Sequence, residues 1–174
     1  MRRIALACAL VMLFICPAIA ENSEEAEPDV AAIKAAALDY ALGWYTADPE
    51  RMERCLHPRL AKRISYQDPI TGRWKIDEMS ALQLVGGARD GWGSRTPEDL
   101  RRSEVRVLDR FEDAASVRLD MHDWIDYMHL AKVKGEWKIV NVLWERRPNA
   151  KKRMQERADE FLTERASKVQ AEGE

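Results

Sequence analysis

The chain has 174 residues, enough for one domain around one core, and 28 Lys and Arg against 30 Asp and Glu give it a formal charge of −2. That balance argues against nucleic acid as a partner, because no basic excess is available to neutralise phosphates. Of the three cysteines, two lie in the first 16 residues, so the body of the chain holds only Cys55 and cannot be stapled by an internal disulfide.

The N-terminus reads as a targeting segment. Arg2 and Arg3 are followed by an apolar run from Ile4 to Ile15, and Ala18-Ile19-Ala20 is an A-x-A cleavage signal. The run is shorter than the roughly 20 residues a membrane span needs. Lipid attachment at Cys16 is disfavoured by the branched Ile15 before it. Residues 1–20 are therefore expected to be a signal peptide. The protein is expected to be exported, periplasmic or secreted, without membrane association after cleavage. Residues 21–29 are acidic and poor in apolar side chains, as in a flexible leader.

Asp29 is expected to cap a first helix with a broad apolar stripe through Val30, Ile33, Ala37, Tyr40, Ala41 and Trp44. Asp48-Pro49-Glu50 starts a second helix with an N-cap, a proline at the first position and an acid in the first turn. That helix carries Met52, Cys55 and Leu56 and is expected to end at His57-Pro58. Lys62 to Gln67 reads as a short strand with Ile64 and Tyr66 on one side. Asp77 to Leu84 reads as a third helix, and the glycines from Gly86 to Gly93 as a connection rather than a phosphate cradle.

From Glu104 the pattern is a four-stranded antiparallel meander. A turn at His122-Asp123 sets Asp126, Met128 and Leu130 opposite Leu119, Val117 and Ala115, and a turn at Lys134-Gly135 sets Leu143, Asn141 and Ile139 opposite Asp126, Met128 and Leu130. A three-residue loop at Glu112–Ala114 would bring Val105, Val107 and Phe111 to the same inner face. Helices first and a meander last indicate an α+β fold. The segment 148–174 has Met154, Ala158, Phe161, Leu162 and Val169 at helical spacing, an amphipathic tail behind a domain spanning 30–147.

Two stretches carry a resemblance. YALGWYTADPERMERCLHPRLAKR (Tyr40 to Arg63) and WIDYMHLAKVKGEWKIVNVLW (Trp124 to Trp144) resemble the opening and the close of the putative lumazine-binding family, within the nuclear transport factor 2-like superfamily. The resemblance covers roughly Val30 to Arg147. It implies a cone-shaped domain in which a curved sheet wraps the first helix and leaves an apolar cavity. Superfamily relatives include cyclases, isomerases, dehydratases and binding or dimerisation modules. None of their catalytic motifs aligns here residue by residue, and fold alone does not assign a function.

Asp126 and Asn141 are the polar positions that this register puts on the apolar face, with Asp109 as a third. A buried carboxylate needs a partner or a purpose. Asp126 could bond an indole, a tyrosine or a backbone N–H and fix its strand, anchor a ligand, or act as a general base. The expected reading is a non-catalytic binding protein for a small apolar or aromatic ligand, contacted by Tyr66, Trp124, Asp126 and Asn141. One alternative is a cyclase or isomerase with Asp126 as base and Asn141 and Tyr66 polarising a carbonyl. Another is a dimerisation module with a filled core. The outer face, with Tyr127, His129, Val142 and Trp144, is too apolar for water and is expected to form a homodimer interface. His57, His122 and His129 fall on separate elements, so no metal is expected, and no cofactor motif appears. The tryptophans lack the interleaved lysines of a nucleic-acid stacking surface.

Overall fold

The computed structural model describes residues 26–172; the expected signal peptide and leader fall outside the described residues, except for the leader's last four positions. Six strands form one sheet in the order β2-β1-β6-β5-β4-β3, comprising β1 (Leu56–Gln67), β2 (Trp74–Ser80), β3 (Glu104–Phe111), β4 (Ala114–Asp120), β5 (Trp124–Val133) and β6 (Glu136–Arg146). All neighbours are antiparallel except β1 and β6, which run parallel and so place the N-terminal hairpin beside the meander. Helix α1 (Ala26–Tyr45) lies across the inner face, joined by α2 (Pro49–Cys55) and α3 (Ala81–Arg89), while α4 (Pro148–Glu172) follows the last strand. The fold is α+β, as the order of elements implied.

Local chemistry explains most boundaries. Asp48 caps α2 by accepting from the Arg51 N–H at 2.9 Å, with Pro49 at the first helical position. The helix stops at Cys55, and Leu56 already opens a twelve-residue strand that includes His57-Pro58. Pro58 thus sits within β1, in the stretch where the β1–β6 register shifts between Leu56 and Ala61. The third helix begins later than the sequence suggested. Trp74 to Ser80 pairs antiparallel with β1, and Ser80 and Gln83 form a capping box that starts α3. Asp29 does not cap α1, which begins upstream at Ala26; its carboxylate instead accepts from Arg110, Lys132 and the Trp137 indole at 2.7–3.0 Å, tying the helix to the sheet.

The core forms between α1 and the inner sheet face. Ile33, Ala37, Tyr40 and Ala41 meet Val117, Leu119, Met128, Leu130 and Ile139, all essentially without exposure. Each such large side chain contributes roughly 1.5–3 kcal/mol by leaving water. The Tyr45 hydroxyl accepts from the His122 N–H at 2.9 Å and fixes the β4–β5 corner to the end of α1.

Two bulges decide which side chains face that core. The β4–β5 register is as the sequence implied, with Leu119 opposite Asp126 and Val117 opposite Met128. Lys134 and Gly135 both adopt positive φ, the signature of a two-residue hairpin turn. Between His129 and Leu130, however, the β5–β6 register shifts, so that Leu130 faces Ile139 while His129 faces Asn141. Val140 is the extra residue. A one-residue slip exchanges the faces of everything beyond it. Val142 and Trp144 therefore turn inward, and Asn141 and Leu143 turn outward, the reverse of the expected assignment. Near the β3–β4 turn, a shift between Val107 and Asp109 supplies the parity expected from a three-residue loop; the loop itself is the two-residue Glu112-Asp113, and Phe111 ends exposed.

Candidate functional site

Four tryptophans from distant parts of the chain meet beside the inner sheet face. Trp44 ends α1, Trp92 follows α3, Trp124 opens β5 and Trp144 lies late on β6. They touch in an edge-to-face series: Trp92 to Trp44 at 6.3 Å between ring centroids, Trp44 to Trp124 at 6.2 Å, and Trp124 to Trp144 at 5.8 Å. Gly87 and Gly93 make room for this series. A Cβ on Gly87 would press on Trp92 and Trp44, and one on Gly93 would overlap the Trp44 indole and its carbonyl oxygen.

These rings, with Tyr40, Met79 and Leu84, enclose a cavity of about 180 Å³ into which Lys62 projects. Lys62 comes from the inner face of β1, two positions before Ile64, and is buried at 3% exposure. Its ammonium donates to Asp126 Oδ1 at 2.6 Å and to the Tyr40 hydroxyl at 2.6 Å. It also lies 4.9 Å from the Trp144 ring centroid, 5.2 Å from that of Tyr40 and 5.5 Å from that of Trp124. The second Asp126 oxygen accepts from the Trp124 indole N–H at 2.9 Å. The carboxylate is fully buried and does not itself line the cavity.

Burial sets the electrostatics. Loss of water pushes the Lys62 ammonium below its ordinary pKa, against the pull of Asp126. It pushes the Asp126 carboxyl up, against Lys62 and the Trp124 N–H, and raises the Tyr40 phenol well above its usual range. The Lys62 and Asp126 charges balance each other, so the cavity carries a net-neutral pair with one ammonium N–H left over. An ammonium has three donors, and two are taken among the described residues.

The expected ligand contacts therefore divide. Trp124 lines the cavity and Asp126 orients its one cationic group. Tyr66 lies further along β1 under the Arg146 guanidinium, outside the cavity. Asn141 is on the outer face, bonded to His129 at 3.2 Å and close to Arg63 at 3.5 Å, because the Val140 bulge turned it away. Of the expected interface residues, Tyr127 and His129 do lie on the outer face, with Tyr127 exposed. Val142 is buried in the core and Trp144 forms a cavity wall. Lys62 was not expected from the sequence. The signal was its period-2 spacing from Ile64 and Tyr66, which puts a lysine on a buried strand face.

A comparison of the sequence with known families matches residues 28–145 to the putative lumazine-binding family. The chain belongs to that family. Solved structures agree on the fold. The chain is similar to an NTF2-like protein of unknown function from Shewanella baltica OS155, at 19% identity and a TM-score of 0.53 over 70% of this chain and 96% of that one. An NTF2-like protein of unknown function from Silicibacter pomeroyi DSS-3 is similar at 16% identity and a TM-score of 0.52, over 70% of this chain and 98% of that one. No curated protein matches the chain. At these identities the structural likeness establishes the fold alone.

Proposed function

We propose that this member of the lumazine-binding family binds a small, neutral, planar ligand in the tryptophan cavity, holding a carbonyl or similar acceptor on the free N–H of Lys62. The reading rests on one observation: a buried lysine, neutralised by Asp126 and with two of its three donors taken among the described residues, lines a space walled by indoles. Charge decides the ligand class. An anion beside the balanced pair would leave a net buried negative charge, and a cation would meet the ammonium that already occupies the aromatic cage. A neutral acceptor adds a hydrogen bond without either cost. The size fits a ring system, since a protein cavity of roughly 150 Å³ accepts benzene. Lumazine, a fused dione of two rings, has this chemistry, with one ring enclosed and the other at the mouth.

Titration of the purified protein with lumazine, benzamide and benzoate, followed by tryptophan fluorescence and calorimetry, tests the reading. Saturable binding of lumazine or benzamide in preference to benzoate is expected. A preference for benzoate, or saturation by none of the three, overturns it.

The finer parts of the reading have their own tests. We propose that the protein works after export, which the arrangement from Arg2 to Ala20 supports; the exported protein would begin at Glu21 by intact-mass measurement. We also propose a homodimer through the outer sheet face, supported by exposed Trp74, Ile76, Tyr127 and Leu143. A monomer mass in sedimentation velocity at micromolar concentration would remove that proposal.

A further inference from the structure

Two grooves of unlike charge adjoin the tryptophan cavity and share wall residues with it. Toward β2 and α3, the adjoining groove presents Asp77, Glu78 and Asp90. Toward α4, a groove of about 510 Å³ is floored by Trp124 and Trp144, the same rings that wall the inner cavity, and walled by Ile70, Met154 and Phe161. Three guanidinium groups, Arg146, Arg153 and Arg157, line this second groove against a single carboxylate, Asp123. Arg146 borders both grooves.

The arginines differ in what holds them. Arg153 is paired with Asp123. Arg146 is held by aromatic faces instead, 5.0 Å from the Trp144 ring centroid and 5.2 Å from that of Tyr66. Its side chain makes no ion pair among the described residues, and neither does that of Arg157, whose Nε donates to the Arg153 carbonyl at 3.4 Å. A guanidinium stacked on rings keeps its edge donors free for a planar oxyanion. Lys62 and Arg146 also share one indole: their cationic groups lie 4.9 Å and 5.0 Å from the Trp144 centroid. Both cationic groups therefore lie against the one ring that walls the inner cavity and floors the outer groove.

We infer that the α4 groove is a subsite for an oxyanion substituent on the ligand whose planar head enters the tryptophan cavity, with Arg146 and Arg157 binding it. This rests on the proposed neutral head group and extends it, since the inner chamber excludes net charge while the outer groove attracts a negative one. The groove beside α3 sets Asp77, Glu78 and Asp90 against Arg146 alone, so the α4 side suits such a substituent better. Helix α4 then has a role: it contributes Arg157 and Phe161 to the groove floored by Trp124 and Trp144. Ala158 is the one residue of α4 that is buried among the described residues, so the groove beneath the helix is accessible.

The test compares lumazine with lumazine-6-carboxylate on the full chain by calorimetry at low and high salt. Arg146→Gln, Arg157→Gln and the double variant are compared with the unaltered protein. At low salt the carboxylate is expected to bind about tenfold tighter than lumazine, an advantage that shrinks with salt and is lost in the double variant. Lumazine affinity should change less than about twofold in every variant, which also reports an intact inner cavity. Equal affinities for the two probes, with lumazine still bound, overturn the subsite alone. Binding of neither probe overturns the head-group reading as well, and a carboxylate advantage that survives in the double variant overturns the assignment to these arginines.

Discussion

Lys62 and Asp126 are 64 positions apart and on strands that do not touch, yet their charged groups meet at 2.6 Å. Strand β6 lies between β1 and β5, and the Lys62 side chain crosses it on the inner face to reach the carboxylate. A buried pair of this kind is weak evidence for added stability, because desolvation offsets the attraction. Breaking one half is costly all the same. Lys62→Met should destabilise the protein by about 3–5 kcal/mol, since it leaves Asp126 buried and unpaired. The double change Lys62→Met with Asp126→Leu should recover most of that loss. Urea unfolding of the single and double variants checks the difference.

Removal of the Trp144 ring takes away the face shared by Lys62 and Arg146. Trp144→Ala is expected to weaken lumazine binding by about five- to tenfold, given a loss on the order of 1–1.5 kcal/mol for an aromatic contact. Trp74→Ala, on the exposed outer face of β2, should leave binding unchanged in the same titration. A matching loss in both variants would place the ligand elsewhere.

Gly93 holds Trp44 and Trp92 in contact distance of one another, because a Cβ there would overlap the Trp44 indole and carbonyl. Gly93→Ala is expected to cost roughly 1–3 kcal/mol as overpacking and to shift tryptophan emission as the series of rings comes apart. The thermal midpoint and the emission maximum, measured on the same sample, report the two effects together.

Asp29 gives a defined acid limb. Hydrogen bonds from Lys132 and the Trp137 indole hold its carboxyl at about 2, below the ordinary 3.8. A depressed carboxylate adds stability that is fully present above its unfolded pKa and is lost as pH falls through the folded value. The contribution should therefore fade between about pH 4 and pH 2. In Asp29→Asn that part of the stability–pH curve should flatten, as read by denaturant midpoints across the window.

Cys55 is buried and donates to the Met52 carbonyl at 3.1 Å, and its thiol is pushed up to about 12, mainly by desolvation. It should not react with a disulfide reagent in the native protein at neutral pH and should react fully in denaturant. Native-state labelling at the unfolded rate would show that α2 opens far more readily than its packing implies.

The amino-acid pattern alone determined the class of fold, the capped start of α2, the β4–β5 register and the buried place of Asp126. Each depends on contacts between near neighbours or on strict alternation along a strand. Tertiary structure decided the rest. The bulge at Val140 exchanged Asn141 for Val142 and Leu143 for Trp144 on the inner face, and nothing in alternation marks a residue that is skipped. The pairing of Trp74–Ser80 with β1 overrode a helical reading because the strand edge needed a hydrogen-bonding partner. The parallel docking of β1 on β6 placed Lys62 against Asp126, beside the indoles of Trp124 and Trp144, in a cavity lined by four tryptophans drawn from across the chain. A lysine two positions from Ile64 was visible in the sequence, but its partner was not, since side chains brought together by long-range strand order leave no local pattern.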